Sequence, residues 1–158
     1  MYKRMRDYDK AIESYLEGLS VIGSGTVKRV GYLYTNMAEC QARKGDLEDA
    51  EASLEKASEI LDHSEDKYAI ACMLYVRGLL EDAQDRTNTG LEYLKKADKR
   101  MNELGVPYDL GVIRLELVRL YLKSGDREKA VEMASKAIES LEKAGAKDLV
   151  EEIRELIK

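Results

Sequence analysis

The sequence predicts an all-α fold built as a stack of antiparallel helix pairs. Three observations carry that prediction. The long stretches are written in Ala, Glu, Lys, Leu and Arg, residues that lose little freedom in a helix. Val, Ile and Thr never alternate with polar residues over a strand-length run, as a half-buried strand would require. And the chain repeats itself: Ala50, Gly90 and Ala130 lie 40 residues apart, as do Leu54, Leu94 and Ala134. Ala57, Ala97 and Ala137 keep the same step, and so do Leu61, Met101 and Leu141. An independent series upstream, Ala38, Gly78 and Val118, is locked to the same period. A fourth copy precedes these with a step of 39, through Ala11, Tyr15, Gly18 and Ile22. Such a fixed period marks a repeat architecture.

Each unit has the same internal order. A helix ends at Gly45, Asp85 or Gly125. A short turn follows, Gly45-Asp46 or Gly125-Asp126, in which Gly takes the left-handed C-cap conformation and Asp caps the next helix. In the third unit the turn reads Asp85-Arg86-Thr87-Asn88, with Thr87 as the expected cap, and in the first it reads Arg6-Asp7. The second helix then carries apolar residues at helical spacing, as in Leu47, Ala50, Leu54, Ala57 and Leu61. Two helices joined by so short a turn must lie antiparallel and touch along their length. Small residues such as Ala38 and Gly78 let their backbones approach, and Leu54 and Leu94 fill the adjoining space. One pair cannot bury both its faces, so pairs stack.

In order, residues 1–5 are expected to be the tail of a first helix and 8–22 its partner. The pairs 27–44 with 47–62, 65–84 with 88–104, and 107–124 with 127–144 follow. A last helix, about 147–157, carries Leu149, Ile153, Leu156 and Ile157 on one face, as a helix covering the end of a stack should. The organisation expected is one array: a partial repeat at 1–25, repeats at 26–64, 65–104 and 105–145, and a capping helix at 146–158. Because the turn Arg6-Asp7 falls so early, the first helix is expected to lack most of its length here. The apolar side of helix 8–22, Ile12, Tyr15, Leu16 and Leu19, is therefore expected to meet further repeats or a second copy of the chain.

Composition excludes several function classes. The chain has 158 residues, 44% hydrophobic and 36% charged, with formal net charge −5. An acidic surface disfavours nucleic acid, whose binding leans on Lys and Arg against phosphate, and it disfavours anionic membranes. No run is long enough for a membrane-spanning helix, and no apolar stretch follows the basic start as a signal peptide requires. Cys40 and Cys72 read as two buried thiols in a reducing cytosol. His63 is the only histidine, expected at a helix end in solvent, which removes His-based metal clusters and triads that draw on a second His. The cysteines are 32 residues apart, unlike a zinc pairing. Gly23-Ser24-Gly25 lacks the strand before and the Lys-Ser/Thr after that a phosphate cradle needs. Pairs such as Glu48-Asp49 and Glu151-Glu152 read as solvated helix faces. Neither an enzyme, a metal site nor a cofactor is expected.

The segment from Tyr34 through Ala38, Gly45-Asp46 and Ala50 resembles a tetratricopeptide repeat closely. An aromatic opens it, a small residue follows four positions on, Gly-Asp turns it, and Ala answers in the second helix. Leu122-Lys123-Ser124-Gly125-Asp126-Arg127-Glu128-Lys129-Ala130 repeats the turn. The resemblance covers nearly the whole chain. It departs at Leu74 and Arg114, which stand where the aromatic opens the unit, at Val118 in the small position, and in its step of 40 in place of 34. Six extra residues are roughly one and a half more helical turns per repeat. This long-helix variety is similar to the repeats of signalling ATPases, transcription activators and kinesin light chains.

The resemblance implies a right-handed superhelix whose first helices line a concave, partner-binding surface. Carried over by position, that groove presents Tyr32, Thr35, Asn36, Glu39 and Arg43 from the second pair. The third pair adds Cys72, Tyr75, Val76 and Leu79, and the fourth adds Val112, Leu115, Arg119 and Leu122. A partly apolar floor with charged edges suits an amphipathic helix or an extended peptide. Chaperone adaptors of the family hold a C-terminal carboxylate with Lys, Asn and Arg. Here Asn36 matches one clamp asparagine, but Cys72 and Val76 stand where the clamp needs Lys and Arg, so a chaperone tail is not the expected ligand. The implied function is a cytoplasmic protein–protein interaction scaffold within a regulatory assembly. Two other readings stay open: self-assembly, including a homodimer, through helix 8–22, and a small-molecule sensor with a pocket at Tyr75, Leu79 and Leu115.

Overall fold

The computed structural model describes residues 7–22 and 27–158. All regular structure among them is helical: α1 (Tyr8–Val21), α2 (Val27–Lys44), α3 (Leu47–Leu61), α4 (Lys67–Ala83), α5 (Thr87–Leu104), α6 (Pro107–Lys123), α7 (Arg127–Lys143) and α8 (Lys147–Leu156). The expected helix tail at residues 1–5 and the Gly23-Ser24-Gly25 loop lie outside the described residues. Neighbours in sequence pack as antiparallel pairs, α2 with α3, α4 with α5 and α6 with α7. The pairs stack through α2 on α4, α3 on α4 and α5 on α6, and α8 packs on α7 and α6. The result is an α-solenoid, as the 40-residue period predicts.

The turns show why the helices end where they do. Gly45, Gly105, Gly125 and Gly145 all have positive φ, the left-handed conformation a helix C-cap favours. Asp85 takes the same conformation at φ 62, the one described non-glycine residue to do so, and its short polar side chain makes that tolerable. After it the Arg86 N–H donates to the Glu81 carbonyl, just as Asp46 N–H does to Gln41 and Asp126 N–H to Tyr121. These six-to-one bonds satisfy carbonyls the helix leaves open.

The caps depart from expectation in two places. Asp126 accepts from the Lys129 N–H and Asp7 from the Lys10 N–H, but Asp46 makes no capping bond and turns its carboxylate to Lys44. Thr87 is not a cap: it is the first residue of α5, and its hydroxyl donates to Asp82 at 2.7 Å. α4 starts at Lys67, two residues later than expected, because Asp66 accepts from the Ala69 N–H and fixes the helix start there. The Lys129 ammonium and backbone N–H hold the Asp126 carboxyl below the ordinary carboxylate range.

The core runs through the stack as one cluster, from Ala38 and Leu54 through Leu80, Leu94 and Leu117 to Leu141 and Ile153. Its tightest places are columns of small residues one repeat apart. An added Cβ at Gly31 would lie 3.0 Å from Leu61, and one at Gly111 2.4 Å from Leu141. At Gly78 it would lie 2.7 Å from Leu94, and at Gly90 2.8 Å from the Gly78 carbonyl oxygen. α4 and α5 thus cross backbone to backbone. Arg114, where the repeat pattern calls for an aromatic, ties three helices together: it donates to Asp98 on α5 and to Ser140 and the Lys136 carbonyl on α7. Cys40 is buried and Cys72 half-buried, so only one of the two thiols lies in the core; neither is in a disulfide.

Candidate functional site

A cavity of about 480 Å³ opens along α2, α4, α6 and α8, with α1 at its edge. These are the first helices of successive units, and the wall repeats accordingly. Tyr32, Cys72, Val112 and Glu152 form one column with a step of 40; Asn36, Val76 and Glu116 form a second; Tyr68 and Tyr108 belong to a third.

Of the residues expected in the groove, Tyr32, Thr35, Asn36, Glu39, Arg43, Cys72, Tyr75, Val76, Val112, Leu115 and Arg119 all line this cavity. Leu79 and Leu122 do not. Leu79 is 9% exposed and belongs to the core, and Leu122 packs partly buried against it. Tyr75, Leu79 and Leu115 therefore do not line a common pocket. Among the residues placed on the face of α1, Leu16 is exposed and Ile12 and Leu19 are half-buried, while Tyr15 turns into the cavity beside Tyr8.

Six of the described tyrosines line the cavity: Tyr8, Tyr15, Tyr32, Tyr68, Tyr75 and Tyr108. Tyr32 and Tyr68 stack with ring centroids 6.3 Å apart, and the Tyr68 hydroxyl donates to Asp109 at 3.3 Å. Burial, then the neighbouring Cys72, Asp109 and Tyr32, push the Tyr68 hydroxyl above its ordinary value. Burial pushes the Tyr75 hydroxyl up as well. Both are therefore neutral at physiological pH and can donate hydrogen bonds.

The floor is a chain of charges. Arg43 donates to Glu39 at 3.1 Å, to the Tyr75 hydroxyl at 2.7 Å and to Glu116 at 3.2 Å. Glu116 also accepts from Arg119 at 2.6 Å, and Arg119 reaches on to Glu152. Burial works against the Arg43 charge, but Tyr75, Glu116 and Glu39 outweigh it and hold the guanidinium protonated. Glu39 is 2% and Glu116 6% exposed, so these are carboxylates that only a bound cation makes tolerable in the interior. One network thereby links α2, α4, α6 and α8. Among the described residues, the cavity wall carries four carboxylates, Glu39, Asp109, Glu116 and Glu152, and two guanidiniums.

Sequence reasoning missed Tyr8, Tyr68, Tyr108, Asp109, Glu116 and Glu152. The period itself held the signal for four of them. Glu116 and Glu152 continue the columns of Asn36 and Tyr32, and Tyr68 and Tyr108 stand one step apart. Elsewhere among the described residues, no group of His, Cys, Asp and Glu could hold a metal ion, and no helix is long and apolar enough to cross a membrane.

A stack of antiparallel helix pairs with a lined groove along its first helices defines a repeat scaffold for protein–protein interaction. The tetratricopeptide repeat model matches residues 1–22, 32–60 and 113–144, more than half of the chain, and the chain belongs to that family. No match exists among the curated proteins. Among solved structures, BtubC (BKLC) from P. vanneervenii is similar at a TM-score of 0.69 and 16% identity, over 97% of this chain and 63% of that one. At that identity the likeness is one of fold, and this chain spans less than two thirds of that neighbour's length.

Proposed function

We propose that the protein holds a peptide or helical segment of a partner in the tyrosine-lined groove, as a subunit or part of a regulatory assembly. The observation that carries this reading is the convergence of six tyrosines from α1, α2, α4 and α6 on one cavity. Tyrosines offer wide contact area with a polar tip and few rotatable bonds, the properties that make them frequent anchors at binding surfaces. Four carboxylates against two guanidiniums fit an occupant that is neutral or basic, and they do not fit an acidic chain end. No catalysis, cofactor, nucleic acid or membrane enters this reading. The two thiols outside any disulfide accord with the reducing cytoplasm, where we place the protein.

Capture from a native lysate tests it, comparing wild type with Tyr32→Ala/Tyr68→Ala. These two rings pack on each other at the cavity wall, and Tyr32 is 38% exposed. The expected result is loss of specific partners from the variant, with a variant melting temperature close to that of wild type. Identical captured sets would sink the groove assignment.

α1 supports a second reading, self-association. Leu16 is 52% and Val21 81% exposed on it, beside the half-buried Ile12 and Leu19. If copies join there, Leu16→Glu lowers the mass measured by light scattering at high concentration; an unchanged mass removes this reading.

A further inference from the structure

On this acidic chain the Lys and Arg side chains mostly reach a carboxylate. Lys95 pairs with Glu92, Arg114 with Asp98, Lys123 with Asp82 and Lys136 with Glu132. Lys56 and Lys147 are among the single exceptions, and at one place several cations without a carboxylate partner gather. Lys96, Lys99 and Arg100 lie along one face of α5, and Lys67 stands beside them at the start of α4. All four are exposed. Lys67, Lys99 and Arg100 have no hydrogen bond or ion pair among the described residues, and Lys96 has only a ring contact, 5.3 Å from the centre of Tyr93. Like charges three and four residues apart on a helix repel one another, and Glu103 is the one carboxylate that shares their hollow.

These cations surround a hollow of about 750 Å³ whose other walls are Leu74, Leu104 and a single carboxylate, Glu103. Both leucines are only partly buried against the core. None of the residues of this hollow lines the tyrosine cavity. Four cations against one carboxylate net +3 on a chain of net −5, which leaves −8 for everything outside the patch. That contrast sets the kind of partner. A duplex or a membrane surface extends far beyond the patch and would meet the negative remainder. A short acidic segment would meet only the cations.

We infer that this hollow is a second interaction surface, independent of the groove, that takes an acidic peptide segment. Its carboxylates pair with Lys67, Lys96, Lys99 and Arg100, and an apolar side chain rests on Leu74 and Leu104. Such complementarity fixes partner choice and speeds encounter, and it weakens as salt rises. An occupant here leaves the groove open, so the protein can hold two segments at once.

Fluorescence anisotropy tests this with three labelled peptides of equal length, built on Leu-Glu-Glu, Leu-Gln-Gln and Leu-Lys-Lys repeats. The expected result is saturable binding of the Leu-Glu-Glu peptide alone, weakening with added salt. Lys96→Glu/Arg100→Glu weakens it about tenfold or more, and Tyr32→Ala/Tyr68→Ala leaves it unchanged. Both charge-reversed positions are exposed, and an unchanged circular-dichroism melt confirms that the variant folds. Three results overturn the inference: no binding of the acidic peptide, equal binding of the Leu-Gln-Gln peptide, or full affinity in the charge-reversed protein. Tighter patch-dependent binding of oligo-dT or of phosphatidylserine vesicles overturns it in favour of phosphate.

Discussion

Gly90→Ala unfolds at a lower temperature than wild type, with a loss of about 2–3 kcal/mol, equivalent to roughly 5–10 °C. The sign is not obvious from the residue alone. In a helix interior, Ala is favoured over Gly by about 1 kcal/mol. Here the gain is outweighed, because the new methyl group would sit 2.8 Å from the Gly78 carbonyl oxygen and 3.3 Å from the Asp82 nitrogen. Both are backbone atoms, so α4 and α5 must separate along their whole contact, and Leu94, fully buried against Gly78 at the crossing, loses its packing. Gly18→Ala is the matched control. Its methyl group would meet only the two methyl carbons of Leu33, at 3.3 and 3.8 Å, the movable end of a side chain. It is expected to be neutral or to stabilise by up to about 1 kcal/mol. Thermal melts of the two variants decide the matter: equal effects of the two substitutions would show that backbone approach does not govern the α4–α5 pair.

Arg43→Met costs about 3 kcal/mol, the lower end of the range for removing one partner of a buried ion pair. Methionine restores most of the volume but not the charge. Glu39, nearly fully buried, loses the guanidinium 3.1 Å away, Glu116 keeps Arg119 alone, and the Tyr75 hydroxyl loses the donor 2.7 Å away. Arg43→Lys recovers only part of the loss, because a single ammonium cannot span Glu39, Tyr75 and Glu116 together. Replacing Glu39 by Gln in the Arg43→Met background is expected to return stability, since the carboxylate left behind is what the first substitution makes costly. Urea denaturation of the four proteins checks the order wild type, Arg43→Lys, double variant, Arg43→Met. Full stability in Arg43→Met would mean that the network contributes nothing.

How much of this was legible in the sequence follows the range of the interactions. The helix pairs, their turns and the small-residue columns are set by contacts within one repeat, and they recur, so the 40-residue period exposes them. Even the left-handed turn at Asp85 falls at the position where Gly45 and Gly125 mark it. Capping was less legible. Asp46 and Asp126 stand at equivalent positions after glycine, yet only Asp126 caps, because Lys44 draws the Asp46 carboxylate away. The cavity wall depends on how one pair sits against the next. Leu79 and Arg119 occupy equivalent positions one step apart, yet Leu79 enters the core while Arg119 lines the cavity. The Arg43–Glu116 contact spans 73 residues and no local pattern announces it.

The Arg43–Glu116 contact also bears on what binding would cost. It passes from α2 to α6 across α4, and with the Arg119–Glu152 pair it braces the floor of the cavity from end to end. Ordering a long, mobile side chain at an interface costs about 0.5–1.5 kcal/mol. Arginines and glutamates are among the most mobile side chains, and here five of them are already held in place. A ligand meeting this floor finds a template set in advance, so its affinity is drawn down little by ordering the protein, and the expense falls on the ligand's own chain.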